Sequence, residues 1–251
     1  MSSKLLRICK ETYWFFASLF FPVRNGGVIL AYHSIAYNNA FFTVTPKMFE
    51  MQLQYLRRKR WNVLSLSELV SCVSEGLVIP KKTVIITFDD AYADFSENAL
   101  PILEKYQIPA TVFVPTAKVG SAMKNREGYE LPIMNWDQLK RLSQHPLITI
   151  GSHTKNHPVL TQITDQETLE AELKESKDEI KNNLNTPCDF FAYPKGKNNT
   201  FVQERVKKHY TAAVGTRIGR VLNHNADVYH LPRKGVYEYT SFSRFKLLLK
   251  I

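Results

Sequence analysis

Apolar positions along the chain fall into two alternating patterns. Short, nearly continuous runs recur at Gly27–Ala31, Thr83–Phe88 and Ala110–Val114. The TVIITF run at Thr83–Phe88 is almost wholly apolar or β-branched, as expected of a strand buried on both faces in a parallel sheet. Between such runs lie segments with apolar residues at helical spacing. Pro46–Arg58 carries Met48, Phe49, Leu53 and Leu56, and Asp165–Asn183 carries Leu169, Leu173 and Ile180 on one stripe. Helices are also predicted over Ala93–Tyr106, Trp136–Ser143, Phe201–Tyr210 and Phe242–Leu249. Short strands are predicted at Trp61–Leu66, Ile148–Gly151, Phe190–Tyr193 and Ala212–Gly215, and a loop over Lys118–Ile133. Ser67 reads as the N-cap of a helix that starts at Glu68.

This alternation predicts an α/β chain of parallel βαβ units. It also gives a place for a site. Tyr32-His33-Ser34-Ile35, Asp89-Asp90, Ser152-His153 and the Tyr193–Gly196 turn each follow a predicted strand. Sites in barrels and open α/β sheets sit at the carboxyl ends of strands, so these residues are expected on one face.

Composition narrows the picture. The chain has 251 residues, of which 44% are hydrophobic, enough for a closed core and against disorder. The formal charge of +10 suits a solvated basic surface or attraction to an anionic polymer or lipid. No zinc-finger, RNP or basic-helix pattern accompanies it, so nucleic acid is not expected as a partner. Arg57-Arg58-Lys59-Arg60 reads as a solvated helix end. Cys9, Cys72 and Cys188 are odd in number and widely spaced, which excludes a disulfide framework or zinc ribbon.

Two regions are expected: a basic and apolar segment over residues 1–26, and a single domain over residues 27–251. In the first, the aromatic-rich run Tyr13–Val23 is shorter than the ~20 apolar residues of a bilayer-spanning helix. No small-x-small cleavage site follows it. Leu5, Ile8, Cys9, Phe16 and Leu19 share one helix face. That face either lies on a membrane as an interfacial helix or packs on the domain. A cell-envelope or membrane-associated setting is favoured over the cytoplasm; the oligomeric state is open.

The chemistry is read from combinations. Adjacent carboxylates at the end of a buried strand repel, and need a cation or a raised pKa. Alone, Asp89-Asp90 reads as a turn or helix N-cap. His153 and His157, four apart, either face one metal or are surface or packed histidines. Together they give one carboxylate and two imidazoles, a catalytic-type ligand set with open coordination positions, and leave the second carboxylate free as a base.

At this point the chain resembles a known family. Thr87-Phe88-Asp89-Asp90-Ala91 is similar to the TFDDG motif of polysaccharide deacetylases with a NodB homology domain (carbohydrate esterase family 4). His153–Pro158 fits that family's H-[ST]-x-x-H-P motif. Phe191–Gly196 and Leu231-Pro232-Arg233 resemble two later motifs, and Tyr32–Ile35 resembles the strand end of the poly-N-acetylglucosamine deacetylase branch. The resemblance runs from about Val28 to Val236.

It implies a distorted (β/α) barrel and metal-dependent hydrolysis of N-acetyl groups from an N-acetylglucosamine-type glycan, releasing acetate. Asp90, His153 and His157 match the ligands of a divalent metal, expected to be Zn2+. Asp89 matches the catalytic base, and the backbone N–H of Lys195 the oxyanion donor. Tyr193 and Trp136 are candidate substrate contacts.

The chain departs from the family pattern. Ala91 replaces a Gly, a mild change unless the position needs positive φ. Ala192 stands where many members carry an Arg that orients the base, and Arg233 is a candidate replacement. Lys195 stands in place of an aromatic residue. The general acid is unassigned: Leu222-Asn223-His224 spells the usual motif but precedes Leu231. His33 or His224 is the candidate acid or substrate contact, with His230 beside Leu231; each is equally a polar surface or supporting histidine. The rival readings are an O-acetyl esterase on a xylan-like glycan, a non-catalytic glycan-binding pseudoenzyme, and a basic membrane-adsorbing or nucleic-acid-binding protein.

Overall fold

The computed structural model describes residues 12–17, 20–38, 40–124, 128–217, 219–222 and 226–251. Parallel strands form its centre: β1 (Gly27–Tyr32), β4 (Asn62–Val63), β5 (Thr83–Phe88), β6 (Ala110–Val114), β9 (Ile148–Ser152), β10 (Phe190–Ala192), β11 (Ala212–Val214) and β12 (Arg233–Gly235). They are hydrogen-bonded in the order β11-β10-β9-β6-β5-β1-β12, with β4 beside the start of β5. Leu231 then pairs with Val214 of β11, two residues before Arg233 pairs with Ile29 of β1. One segment thus bridges both edges of the sheet and nearly closes it. This is the distorted (β/α) barrel that the motifs imply. Two small pairs lie outside the ring: β2 (Ser34–Ile35) with β3 (Thr43–Val44), and the hairpin of β7 (Ala122–Lys124) with β8 (Glu130–Pro132).

Both faces of β1, β5 and β6 are buried, which is why their sequences lack polar alternation. Val28, Leu30, Tyr32, Val84, Ile86 and Phe88 point outward to one large apolar layer beneath the helices. Ile29, Ile85, Phe113, Phe190, Ala192 and Val214 join a smaller second cluster with Leu66, Leu69 and Val70 of the helix Leu66–Ser74. Gly151 has to be glycine, because a Cβ there would come 2.7 Å from the Phe113 ring.

Three expected elements differ. The helix begins at Leu66 rather than Glu68, because Ser65 is its N-cap and closes a capping box with Glu68. The helix after Asp90 opens with a π-helical turn over Phe95–Ala99, and Pro101 follows just inside the α-helix Leu100–Tyr106. The Lys118–Ile133 loop contains the β7–β8 hairpin.

The N-terminal segment is described in part. Thr12–Ala17 is helical, with Ala17 buried and Phe16 exposed. Leu5, Ile8, Cys9 and Leu19 of the expected apolar face lie outside the described residues. Cys188 is buried and Cys72 partly buried, both as free thiols.

Candidate active site

β1, β5, β9 and β10 deliver the predicted residues to one end of the barrel. A cleft of about 520 Å³ opens there, lined by His33, Asp89, Asp90, His153, His157, Lys195 and Arg233 among others.

β5 ends at Phe88, and Asp89 follows directly. Its backbone N–H donates to the Tyr32 carbonyl at 3.0 Å. The chain then turns through two left-handed residues, Asp90 (φ 70°) and Ala91 (φ 54°). Ala91 therefore occupies a position that favours glycine, and its replacement of the family Gly is strained rather than mild. The turn places Asp90 against the histidine loop.

That loop, His153–His157, is also bent by left-handed residues, Thr154 (φ 68°) and His157 (φ 63°). Its conformation is fixed by hydrogen bonds. The Thr154 hydroxyl accepts the His157 N–H at 2.9 Å. Glu172, on the helix Gln166–Leu184, accepts the backbone N–H groups of Lys155 and Asn156 and the Asn156 side chain. Glu172 was not apparent in the sequence, where it is one acid among many on a charged helix.

Asp90, His153 and His157 each present one donor atom, all within 4.8 Å of one another. His153 Nε2 lies 3.6 Å and His157 Nε2 3.5 Å from Asp90 Oδ1. Two ligands of a tetrahedral ion with bonds of about 2.1 Å stand roughly 3.4 Å apart. His153 donates its Nδ1–H to the Ala192 carbonyl at 2.8 Å, which directs Nε2 at the cluster. Asp90 Oδ1 is buried without a hydrogen-bond partner. A buried carboxylate oxygen without a donor calls for a cation. The residues present therefore fit a divalent metal.

The titration behaviour follows from burial. Desolvation, together with the neighbouring Asp89 carboxylate, pushes Asp90 up to about 6. Desolvation pulls His153 down to about 3 and lowers His157. Asp89 moves the other way. Burial alone would raise it, but the Arg233 guanidinium overrides that and holds it well below the usual carboxylate range.

Arg233 is 1% exposed. It grips both Asp89 oxygens, at 2.6 and 2.7 Å. It also donates to the Gly215 carbonyl and the Thr87 hydroxyl, and lies over the Phe113 ring. It thus puts on β12 the charge that the family pattern puts at position 192 on β10.

The third motif forms a tight turn. The Gly196 N–H donates to the Tyr193 carbonyl at 2.8 Å, with Pro194 second and Lys195 third at φ 55°. This is a type II pattern, which requires positive φ at its third residue. Gly196 itself sits at φ 66°, against Thr216.

Other predicted residues stand elsewhere. Tyr193 is fully buried, and its hydroxyl donates to the Tyr229 carbonyl, so its side chain is core rather than cleft. Trp136 packs partly buried against the apolar layer, outside the cleft lining. His33 does line the cleft, beside the Phe42 ring. His224 lies outside the described residues, and His230 ends a short 3-10 turn, also outside the cleft lining. The cleft wall is instead built by Phe41, Phe42, Tyr92 and Tyr237. Tyr92 and Asp90 line the same cleft. Tyr237 folds over Gly235, where a Cβ would meet its hydroxyl at 2.1 Å.

The chain is similar to known proteins. The family profile described as polysaccharide deacetylase matches residues 78–214. The chain is 30% identical over 218 residues to the Bacillus subtilis protein YxkH, which bears a polysaccharide deacetylase name, covering 86% of this chain and 74% of that one. It is 29% identical over 199 residues to the poly-beta-1,6-N-acetyl-D-glucosamine N-deacetylase of Staphylococcus epidermidis, covering 76% and 67%. Among solved structures, the Streptococcus pyogenes deacetylase PplD in complex with acetate superposes with a TM-score of 0.77 at 28% identity, covering 92% of this chain and all (100%) of that one. IcaB from Ammonifex degensii gives 0.80 at 23% identity, with coverage of 92% and 100%, a likeness of fold. With the barrel, the motifs at its strand ends and these relatives in agreement, the chain belongs to the polysaccharide deacetylase family.

Proposed function

We propose that this polysaccharide deacetylase removes N-acetyl groups from an N-acetylglucosamine-type glycan by metal-dependent hydrolysis, releasing acetate. The observation that carries the reading is the juxtaposition in one cleft of the Asp90, His153 and His157 donor atoms with an Arg233-held carboxylate, Asp89. The relatives named as poly-N-acetylglucosamine deacetylases favour the amide of an N-acetylated sugar over an ester.

Asp90, His153 and His157 would hold the metal, an N2O set that suits zinc. When bound, the ion acts as a Lewis acid on the acetyl carbonyl and acidifies water beside it. Asp89 accepts a proton from the attacking water. Arg233 keeps that carboxylate ionised and fixed, while each oxygen retains a lone pair for the cleft side. The Lys195 N–H, held in its turn, donates to the carbonyl oxygen as charge develops there, a contribution of about 3 kcal/mol for one such donor. The amine nitrogen gains a proton as the C–N bond breaks. Among the described residues, His33 is the cleft histidine outside the ligand set, and serves as acid or substrate contact.

The test measures metal content and acetate release from N-acetylglucosamine oligomers, with acetylated xylan as the competing substrate. Asp89→Asn is expected to retain zinc and lose activity by about 10²-fold or more. Full activity in that variant, or full zinc affinity in His153→Ala, would overturn the assignment.

A further inference from the structure

The largest anomaly outside the cleft is a run of exposed aromatic side chains. Tyr13, Phe15, Phe16, Phe20 and Phe21 are all exposed, with Tyr13 at 62%, Phe16 at 52% and Phe20 at 80%. Five bulky aromatics in water within nine residues is a cost that a soluble surface does not normally carry. The segment is held on the domain. Ala17 is buried, and the Arg24 N–H donates to the Lys250 carbonyl. Arg244 lies over the Trp14 ring and Lys246 over the Phe15 ring, both cations from the helix Phe242–Leu248.

The patch therefore mixes aromatic rings with cationic side chains. That pairing matches the boundary between lipid headgroups and acyl chains, where rings sink and ammonium or guanidinium groups meet anionic phosphates. The net charge of +10 has the same sign. No helix among the described residues is long and apolar enough to cross a membrane.

The patch also adjoins the cleft. Arg244 lies over Tyr239 as well as Trp14, and Tyr239 stacks on Tyr237, which lines the cleft. We propose that this aromatic and cationic face docks the protein on the headgroup region of an anionic lipid bilayer, with the cleft mouth beside the contact. The docking does not depend on the reaction assigned to the cleft.

The test is flotation of the full 251-residue chain with vesicles of phosphatidylglycerol and phosphatidylcholine, against phosphatidylcholine alone, at low and high salt. Phe16→Ser combined with Phe20→Ser removes two exposed rings and is expected to weaken partitioning by about tenfold or more. Lys246→Glu is expected to reduce binding to the anionic vesicles, and high salt to do the same. Circular dichroism melting of each variant should match the wild type, since the exposed rings make no core. Absence of binding to the anionic vesicles would overturn the proposal. So would partitioning unchanged in the double variant, or a wild-type dimer that the double variant dissolves, which would make a second copy the occupant.

Discussion

Arg233 and Asp89 meet in a bidentate pair at the C-terminal end of the barrel, with nitrogen-to-oxygen distances of 2.6 and 2.7 Å and both side chains almost fully buried. The pair joins β5 to β12, strands that do not pair with each other because β1 lies between them. Arg233 also accounts for Ala192. A guanidinium from β10 is not needed for Asp89, and the Ala192 carbonyl instead fixes the ring of His153. One inner arginine thus holds the Asp89 carboxylate while β10 orients the His153 ring.

Arg233→Met should leave Asp89 buried and uncompensated, at a cost of about 3–5 kcal/mol in urea denaturation at neutral pH. The sign with pH is definite. Asp89 is depressed in the folded state, so its contribution is present above the ordinary carboxylate range and is lost as pH falls toward its folded value. The variant should lose that dependence and move the acid limb of its activity profile to higher pH. A variant as stable as the wild type at neutral pH would show that the pair does not offset its own burial.

Glu172 gathers two backbone N–H groups and the Asn156 amide in the loop between the paired histidines. Glu172→Gln keeps the shape but replaces part of that acceptor set with donors. Zinc affinity, measured with a competing chelator, is expected to fall about 10–100-fold with the fold intact. An unchanged affinity would mean that the left-handed turns at Thr154 and His157 hold without it.

Metal uptake should depend on pH through Asp90. Burial lowers both histidines, with His153 at about 3. Asp90 is raised to about 6. Zinc titration calorimetry from about pH 5 to pH 8 is expected to show affinity nearly flat above that value and falling about tenfold per unit below it. In the metal-free chain a raised carboxylate contributes stability in acid that is lost as pH rises through about 6. Flat affinity across the range would contradict the desolvation of Asp90.

The strands were legible in the sequence because burial on both faces leaves unbroken apolar runs, as at Thr83–Phe88. The three donor residues were legible because strand ends bring Asp90 and His153 together whatever the loops do. What sits above the strands was not. Tyr193 shares its motif with Lys195, yet its ring packs in the core and its hydroxyl donates to the Tyr229 carbonyl, a partner 36 residues away. The β7–β8 hairpin that supplies Met123 to the cleft has no long alternating pattern to announce it. Glu172 acts across elements, and periodicity within one helix carries no sign of a partner in another.

Gly196 is constrained by both its backbone and its neighbour. Its φ of 66° and its contact with Thr216 both oppose a side chain: a Cβ would lie 1.9 Å from the Thr216 hydroxyl oxygen and 2.5 Å from the Thr216 Cβ. Gly196→Ala must strain the backbone by about 1–2 kcal/mol and push Thr216 aside. The strain falls on the turn that presents the Lys195 N–H, closed by the Gly196 N–H itself. A donor displaced from the developing oxyanion loses transition-state stabilisation more than substrate binding. The expected result is a drop in kcat of about tenfold or more with KM little changed, and zinc content as in the wild type. Thr216→Gly in the same chain removes the clash but not the positive φ, so it should restore activity in part. If Gly196→Ala raised KM alone, the turn would be a substrate contact rather than the source of the oxyanion donor.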